Sequence, residues 1–278
     1  MTDPRANAKA VEALNRRQDE NGGEFWSRAD GSIHAPIGFC TLLAMNVLGD
    51  LGLSARDPVA AGLAEFVFTY QNDDGSFRYT PQSTRLPCIT GQALAGLGRL
   101  GFARDPRSDA AFDWLVSGQW NDGGWRCPTA KLGKSAASDA SNPGTTLFAL
   151  DALRFRPDLR RSDVTGPAVE ALLSHWETRA PRGPCEFGIG TRFRRIEYPF
   201  VHYNLFYYVL VLSYYEAARA DARFAAAYQG LSEHVDDRGR LIVANPHRSW
   251  RQHDFARANQ PSWLVDELLG GIRARVEG

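Results

Sequence analysis

The chain has 278 residues, and its 32 Lys plus Arg balance 32 Asp plus Glu, so the formal net charge is zero. That balance offers no footprint for nucleic acid or an anionic membrane, and no apolar run approaches the roughly 18 residues of a membrane-spanning helix. With 44% hydrophobic and 23% charged residues, the composition is that of a globular protein with a large core.

Met1 to Asn21 is polar and lacks a secretory apolar segment, so the cytoplasm is the expected compartment. There, the four separated cysteines Cys40, Cys88, Cys127 and Cys185 read as thiols or metal ligands and not as a disulfide framework. The same stretch runs into the first copy of a recurring phrase, Gln18-Asp19-Glu20-Asn21-Gly22-Gly23-Glu24-Phe25-Trp26. The phrase returns as Gln71-Asn72-Asp73-Asp74-Gly75-Ser76-Phe77 and as Gln119-Trp120-Asn121-Asp122-Gly123-Gly124-Trp125, at spacings of 53 and 48 residues. That period accommodates two helices and their loops.

The first helix of each pair ends at the phrase. From Pro58 to Gln71, Leu63, Phe66, Val67 and Tyr70 fall at helical spacing, with Asp57 placed to cap and Pro58 in the first turn. Asp105-Pro106 repeats that entry one unit later. The second helix of each pair is apolar nearly all round: Gly38 to Leu51, Cys88 to Leu100, Thr145 to Phe155, and Tyr198 to Tyr215. Such helices are buried, whereas the amphipathic ones lie outside. Degraded phrases at His175 to Phe187 and His234 to Leu241, and a last apolar helix from Pro261 to Val276, bring the count to five hairpins. The expectation is one all-α domain over residues 1–278, an α/α toroid with inner and outer helices. Within the phrase, Gly22, Gly75 and Gly123 suit a positive φ at a helix end. The Gln amide can satisfy free backbone groups there, and Phe25, Phe77 and Trp125 can pack the turn against a neighbour.

The phrase resembles the QW motif of squalene–hopene cyclases, oxidosqualene cyclases and related terpene cyclases, whose repeat and α/α toroid are shared by protein prenyltransferase β subunits. The resemblance spans about residues 5–275 and is similar in scale to the short prenyltransferase/squalene-oxidase-repeat proteins. It implies an isoprenoid-like ligand in an apolar central cavity, and terpene cyclase-like or prenyltransferase-like chemistry. A non-catalytic scaffold, a lipid-binding module, a homo-oligomer, or a subunit needing a partner are alternatives. The Asp-x-Asp-Asp acid of the cyclases is missing. The matching position reads Ser138-Asp139-Ala140-Ser141-Asn142-Pro143, leaving Asp139 as the sole acid.

The expected site is the mouth formed by the starts of the inner helices and the loops before them. Asp139, His202 and Tyr203 are the catalytic candidates there. Tyr198, Phe206, Tyr207, Trp125 and Trp250 are the candidates for packing an isoprenoid or stabilising a cation, the alternative being core packing. Cys88, Cys127, Cys185 and His202 would make a tetrahedral Cys3His zinc site if they converged; isolated cysteines also serve as small buried hydrophobes. Arg182, Arg192, Arg194 and Arg195, with His247, Arg248 and Arg251, form a basic cluster able to take a diphosphate or to be simply solvated.

Overall fold

The computed structural model describes residues 4–129, 139–180 and 187–278. Among them are ten helices of eight residues or more: α1 (Pro4–Asn15), α2 (Thr41–Asp50), α3 (Pro58–Phe68), α4 (Pro87–Arg99), α5 (Pro106–Ser117), α6 (Pro143–Leu153), α7 (Thr165–Thr178), α8 (Leu205–Leu212), α9 (Ala222–Gly230) and α10 (Trp263–Val276). Prolines occupy the first turn of α3, α4, α5 and α6, where the missing N–H costs nothing. The even-numbered helices form the inner layer. α2 packs on α4, α4 on α6, α6 on α8 and α8 on α10, while α3, α5, α7 and α9 each pack outside the inner helix before them. A two-residue antiparallel ribbon, β1 (Ile242–Val243) with β2 (Gln260–Pro261), braces the last hairpin. Among the described residues no helix is long and apolar enough to cross a membrane.

Inner helices are apolar because they touch protein on every side. All eight residues of α8 are buried, as are ten of the eleven of α6. α4 and α6 pack closely at Gly91, where a Cβ would lie 3.0 Å from the Phe148 backbone. Last hairpin meets first through side chains. The Trp250 indole donates to the Gly38 carbonyl and packs edge-on against Phe39, while Arg17 Nη1 donates to the Ser249 carbonyl at 2.9 Å.

The recurring phrase is a clasp between successive units. Gln71 Nε2 donates to Gly75 O (3.0 Å) and to Arg107 O (2.7 Å) in the next outer helix. Gln119 Nε2 repeats this with Gly123 O (2.6 Å) and Val164 O (2.7 Å). Gly123 has φ +87°, and a Cβ there would overlap Pro167 of α7, so the turn can press directly on the next unit. The aromatics that follow, Phe77 and Trp125, are fully buried. Their backbone N–H groups donate to Thr90 Oγ1 (2.9 Å) and Thr146 Oγ1 (3.0 Å) in the first turns of α4 and α6. The second and third copies of the phrase thus each tie their own inner helix to the following outer one.

The fourth inner helix departs from expectation. It begins at Leu205, not Tyr198. Pro199 has no N–H to give and disfavours a helical Tyr198, and Asn204 starts the helix by accepting from Tyr207 N at 3.1 Å. Residues 195–204 instead run as a non-helical strap across one end of the inner layer.

Candidate functional site

Four charged side chains stand where the inner helices would be expected to enclose an apolar cavity. Arg99, at the end of α4, donates from Nε to Asp50 Oδ1 (3.2 Å) and from Nη2 to both oxygens of Asp151 (3.2 and 2.9 Å). Its Nη1 donates to Asn46 Oδ1 (3.3 Å) and Ala95 O (3.1 Å). Arg154 Nε donates to Asp151 Oδ1 at 2.6 Å, and the Tyr207 hydroxyl donates to Asp151 Oδ2 at 2.7 Å. The strap sends Tyr198 down to donate to Asp50 Oδ2 at 3.0 Å. Arg99 is 3% exposed and Asp151 0%, so bulk water does not reach the network.

The two carboxylates differ although they share Arg99. Burial drives Asp50 above its ordinary value, and Arg99, Arg154 and Tyr198 do not fully reverse that. Burial pushes Asp151 up as well, but Arg99, Arg154 and the Tyr207 hydroxyl outweigh it and hold Asp151 below the ordinary value. Burial, reinforced by the adjacent Asp50 and Asp151, raises the Tyr198 and Tyr207 phenols well above their usual range, so both act as donors.

Above the network the strap fills the ring. Phe200 stacks on Tyr207 at 4.6 Å and meets Tyr198 edge-on at 5.1 Å. The space left between Leu43, Asp50, Arg99, Phe148, Phe200 and Tyr207 is about 20 Å³, room for one water. The apolar central cavity expected from the sequence is therefore absent between these side chains.

At the mouth, the strap presents Glu197 and His202. Glu197 is 6% exposed at its side chain, and both its oxygens lie 2.9 Å from His202 Nδ1. Nδ1 therefore carries the proton, and Nε2 accepts from Arg192 Nη2 at 2.7 Å. The 244–248 segment hydrogen-bonds Ile196 O through Ala244 N (3.0 Å) and Asn245 N (3.3 Å). This brings His247 beside Gly38, whose missing Cβ leaves room for the imidazole. Burial lowers His247, and Arg248, His202 and Arg251 lower it further against the opposing pull of Glu197. Around this floor stand Ile37, 66% exposed, and the half-buried Phe200 and Val201. Arg194, Arg195 and Arg248 form no side-chain hydrogen bond or ion pair among the described residues; Arg251 donates only to Pro246 O, at 3.1 Å.

The remaining sequence candidates lie elsewhere. Asp139 is 4% exposed and pairs with Arg126 at 2.8 Å. Tyr203 is buried and turned away from His202. Its hydroxyl donates to His175 Nδ1 at 3.1 Å, and His175 Nε2 donates to Ala180 O at 2.9 Å. Trp125, Phe206 and Trp250 are fully buried core residues, and the Trp125 indole donates to Leu115 O. Tyr198 and Tyr207 are buried with their hydroxyls on the two carboxylates. All five pack the interior. Cys127 Sγ lies 2.9 Å from Thr129 Oγ1, Cys88 is half-buried at the start of α4, and Cys185 and Arg182 lie outside the described residues. Among those described, no group of three or more His, Cys, Asp or Glu side chains is arranged to hold a metal.

Sequence reasoning passed over Asp50, Arg99 and Asp151. The signal was there: charges inside apolar helices, 49 and 52 residues apart, which is the repeat period. A charge kept at one place in three successive buried helices implies that the three meet.

No family model matches the chain, and no curated protein matches it. Solved structures with a similar course of chain include a protein from Actinoplanes (16% identity, 98% of this chain and 99% of that one, TM-score 0.35). They also include the type II terpene cyclase MstE from Scytonema in its apo form (13% identity, 99% and 98%, TM-score 0.33) and a polysaccharide lyase (10% identity, 99% and 88%, TM-score 0.43). Overlaps this loose say nothing of the chemistry at the mouth. The chain is an all-α toroid of inner and outer helices.

Proposed function

We propose that this protein binds an isoprenoid-like amphiphile at its mouth and does not cyclise it. The carrying observation is that ion-paired Arg99 and the aromatic strap occupy the place where a cyclising enzyme needs an empty apolar chamber. Exposed Ile37 with Phe200 and Val201 supplies an apolar surface for a tail. Arg194, Arg195, Arg248 and Arg251 supply forks for an anionic head. The ion pair of Asp139 with Arg126 supports the same reading, because the carboxyl near the position used by cyclases is already engaged by a guanidinium.

The test is calorimetric binding of farnesyl diphosphate, farnesol and inorganic diphosphate, with product analysis of the incubated mixtures. Farnesyl diphosphate should bind more tightly than either fragment. Ile37→Asp should weaken the tail contribution, and Arg248→Gln with Arg251→Gln the head contribution. Equal affinity for all three probes, or release of a cyclised hydrocarbon, would refute the reading.

One observation favours proton transfer in addition to binding: Glu197 holds His202 in a single tautomer through two equal contacts. On that reading His202→Gln abolishes turnover of a bound substrate while leaving its affinity within about twofold. A turnover that survives His202→Gln rules it out.

A further inference from the structure

The end of the ring opposite the mouth carries a second collection of cations. An open groove of about 820 Å³ lies between the start of α7, the residues after α8 and the last turn of α10. Arg160, Arg161, Arg219 and Arg275 all line it. Arg275 Nε donates to Ser213 Oγ at 3.0 Å, and Arg219 Nη1 donates to Ser213 O at 2.9 Å, so one turn of backbone sets both guanidinium groups. The Arg275 guanidinium lies 3.8 Å from the centre of the Tyr214 ring, and Arg154, from the central network, lies 4.3 Å from the same ring. Arg275 Nη2 is buried and has no hydrogen-bond partner.

We propose that this groove binds a phosphate-type oxyanion between Arg275, Arg219 and Arg160. A buried guanidinium nitrogen with no acceptor is costly, and native proteins supply such a group with an acceptor. Here the protein supplies none. The side chains of Arg160 and Arg161 make no hydrogen bond or ion pair among the described residues. The two acids of the groove, Asp163 and Glu216, are exposed at its rim and pair with none of these arginines. Burial lowers Arg275 below its ordinary value, Tyr214 opposes this, and Arg154, Arg219 and Arg160 push it lower still. Mutual repulsion of this kind is what a bound dianion relieves. Planar guanidinium forks suit the tetrahedral oxygens of a phosphate group, whether free or on a small metabolite. The site is independent of the mouth.

The experiment is titration of the whole protein with inorganic phosphate, and separately with glucose 6-phosphate, against sodium chloride at matched ionic strength. Binding is read by calorimetry and thermal shift. Phosphate should stabilise the wild-type protein more than chloride does. Arg275→Met, which keeps the packing on Tyr214, and Arg160→Gln, which leaves that packing untouched, should each weaken phosphate binding about tenfold. A protein carrying Arg248→Gln and Arg251→Gln tells the two ends apart: it loses whatever phosphate the mouth takes and should keep the component of binding that Arg160→Gln and Arg275→Met weaken. No stabilisation beyond chloride overturns the proposal. So does affinity that survives Arg160→Gln and Arg275→Met but falls when the mouth arginines are changed. Tighter binding of the sugar phosphate than of phosphate alone would assign the groove to a phosphorylated small molecule, and the reverse to the free ion.

Discussion

Replacing Arg99 by Met removes the one cation that both Asp50 and Asp151 contact. Asp151 keeps Arg154 at 2.6 Å and Tyr207 at 2.7 Å. Asp50 keeps only the Tyr198 hydroxyl at 3.0 Å as a hydrogen-bond donor. Both acids stay in a region where side-chain exposure is 7% or less. Breaking a buried pair from one side costs about 3–5 kcal/mol, a large part of the 5–15 kcal/mol typical of a folded domain. At about 2–4 °C per kcal/mol for a chain of this size, the midpoint should fall by about 10 °C. The loss must also depend on pH. Asp50 already lies above its ordinary value because burial outweighs Arg99. A carboxyl raised in the folded state favours folding below its unfolded value, and that contribution is lost as pH rises through the folded value. Without Arg99 both carboxyls move up. The gap between variant and wild type should then be widest near neutral pH and should shrink as pH falls toward about 4.5. Urea denaturation across that range measures it. A gap under about 1 kcal/mol at neutral pH, or one that does not change with pH, would mean that the centre is wetter than described.

Three further outcomes are expected. Gly123→Ala should cost about 2–4 kcal/mol, from its φ of +87° and the overlap with Pro167, while Gly166→Ala, with open space around it, should cost nothing; equal denaturation midpoints for the two would contradict the clasp. Thr146→Val leaves the buried Trp125 N–H without an acceptor and should cost about 1–3 kcal/mol, with faster exchange of that amide, whereas Thr146→Ser should restore both. Burial, with Arg17 3.1 Å from its Nε2, lowers His253 to about 4, so its ring should remain neutral by NMR down to that pH. Because the folded value is the lower one, the stability from this neutral ring is full above the unfolded value of 6.5 and declines as pH falls toward about 4; a ring that titrates near 6.5 would place His253 in water.

The fold was legible because its signals are local. Asp105 caps α5 by accepting from Arg107 N at 2.9 Å, as a residue before Pro106 should. Gly75 and Gly123 take the positive φ that their place after a helix requires. What reached across units was harder to read. The phrase suggested that Gln would cap its own helix end, yet Gln71 also reaches Arg107, 36 residues on. The site was less legible still. An aromatic-rich run from Tyr198 looked like one helix, but Pro199 and Asn204 set the start at Leu205, and that change turned Tyr198 and Phe200 into a filling for the ring. The tyrosines gave no sign of their partners, because a hydroxyl seeking Asp50 or Asp151 and one facing a ligand have the same sequence.

The meeting of the last hairpin with the first differs from every other junction. Neighbouring hairpins are joined by the chain itself, and Gln71 and Gln119 rivet two of those joints across. Between the fifth and the first, contact is made by side chains: the Trp250 indole at Gly38 and its edge against Phe39, His247 over Gly38, Arg17 at Ser249 and His253, and the exposed pair of Lys9 with Asp254. The toroid is therefore a split washer with a seam. Sub-global opening should begin there, with the backbone around Gly38 and Ser249 exchanging its amide protons before the α4–α6 pair does. Anything that widens the ring, such as a guest larger than the mouth admits, would enter by springing the seam and not by threading the axis.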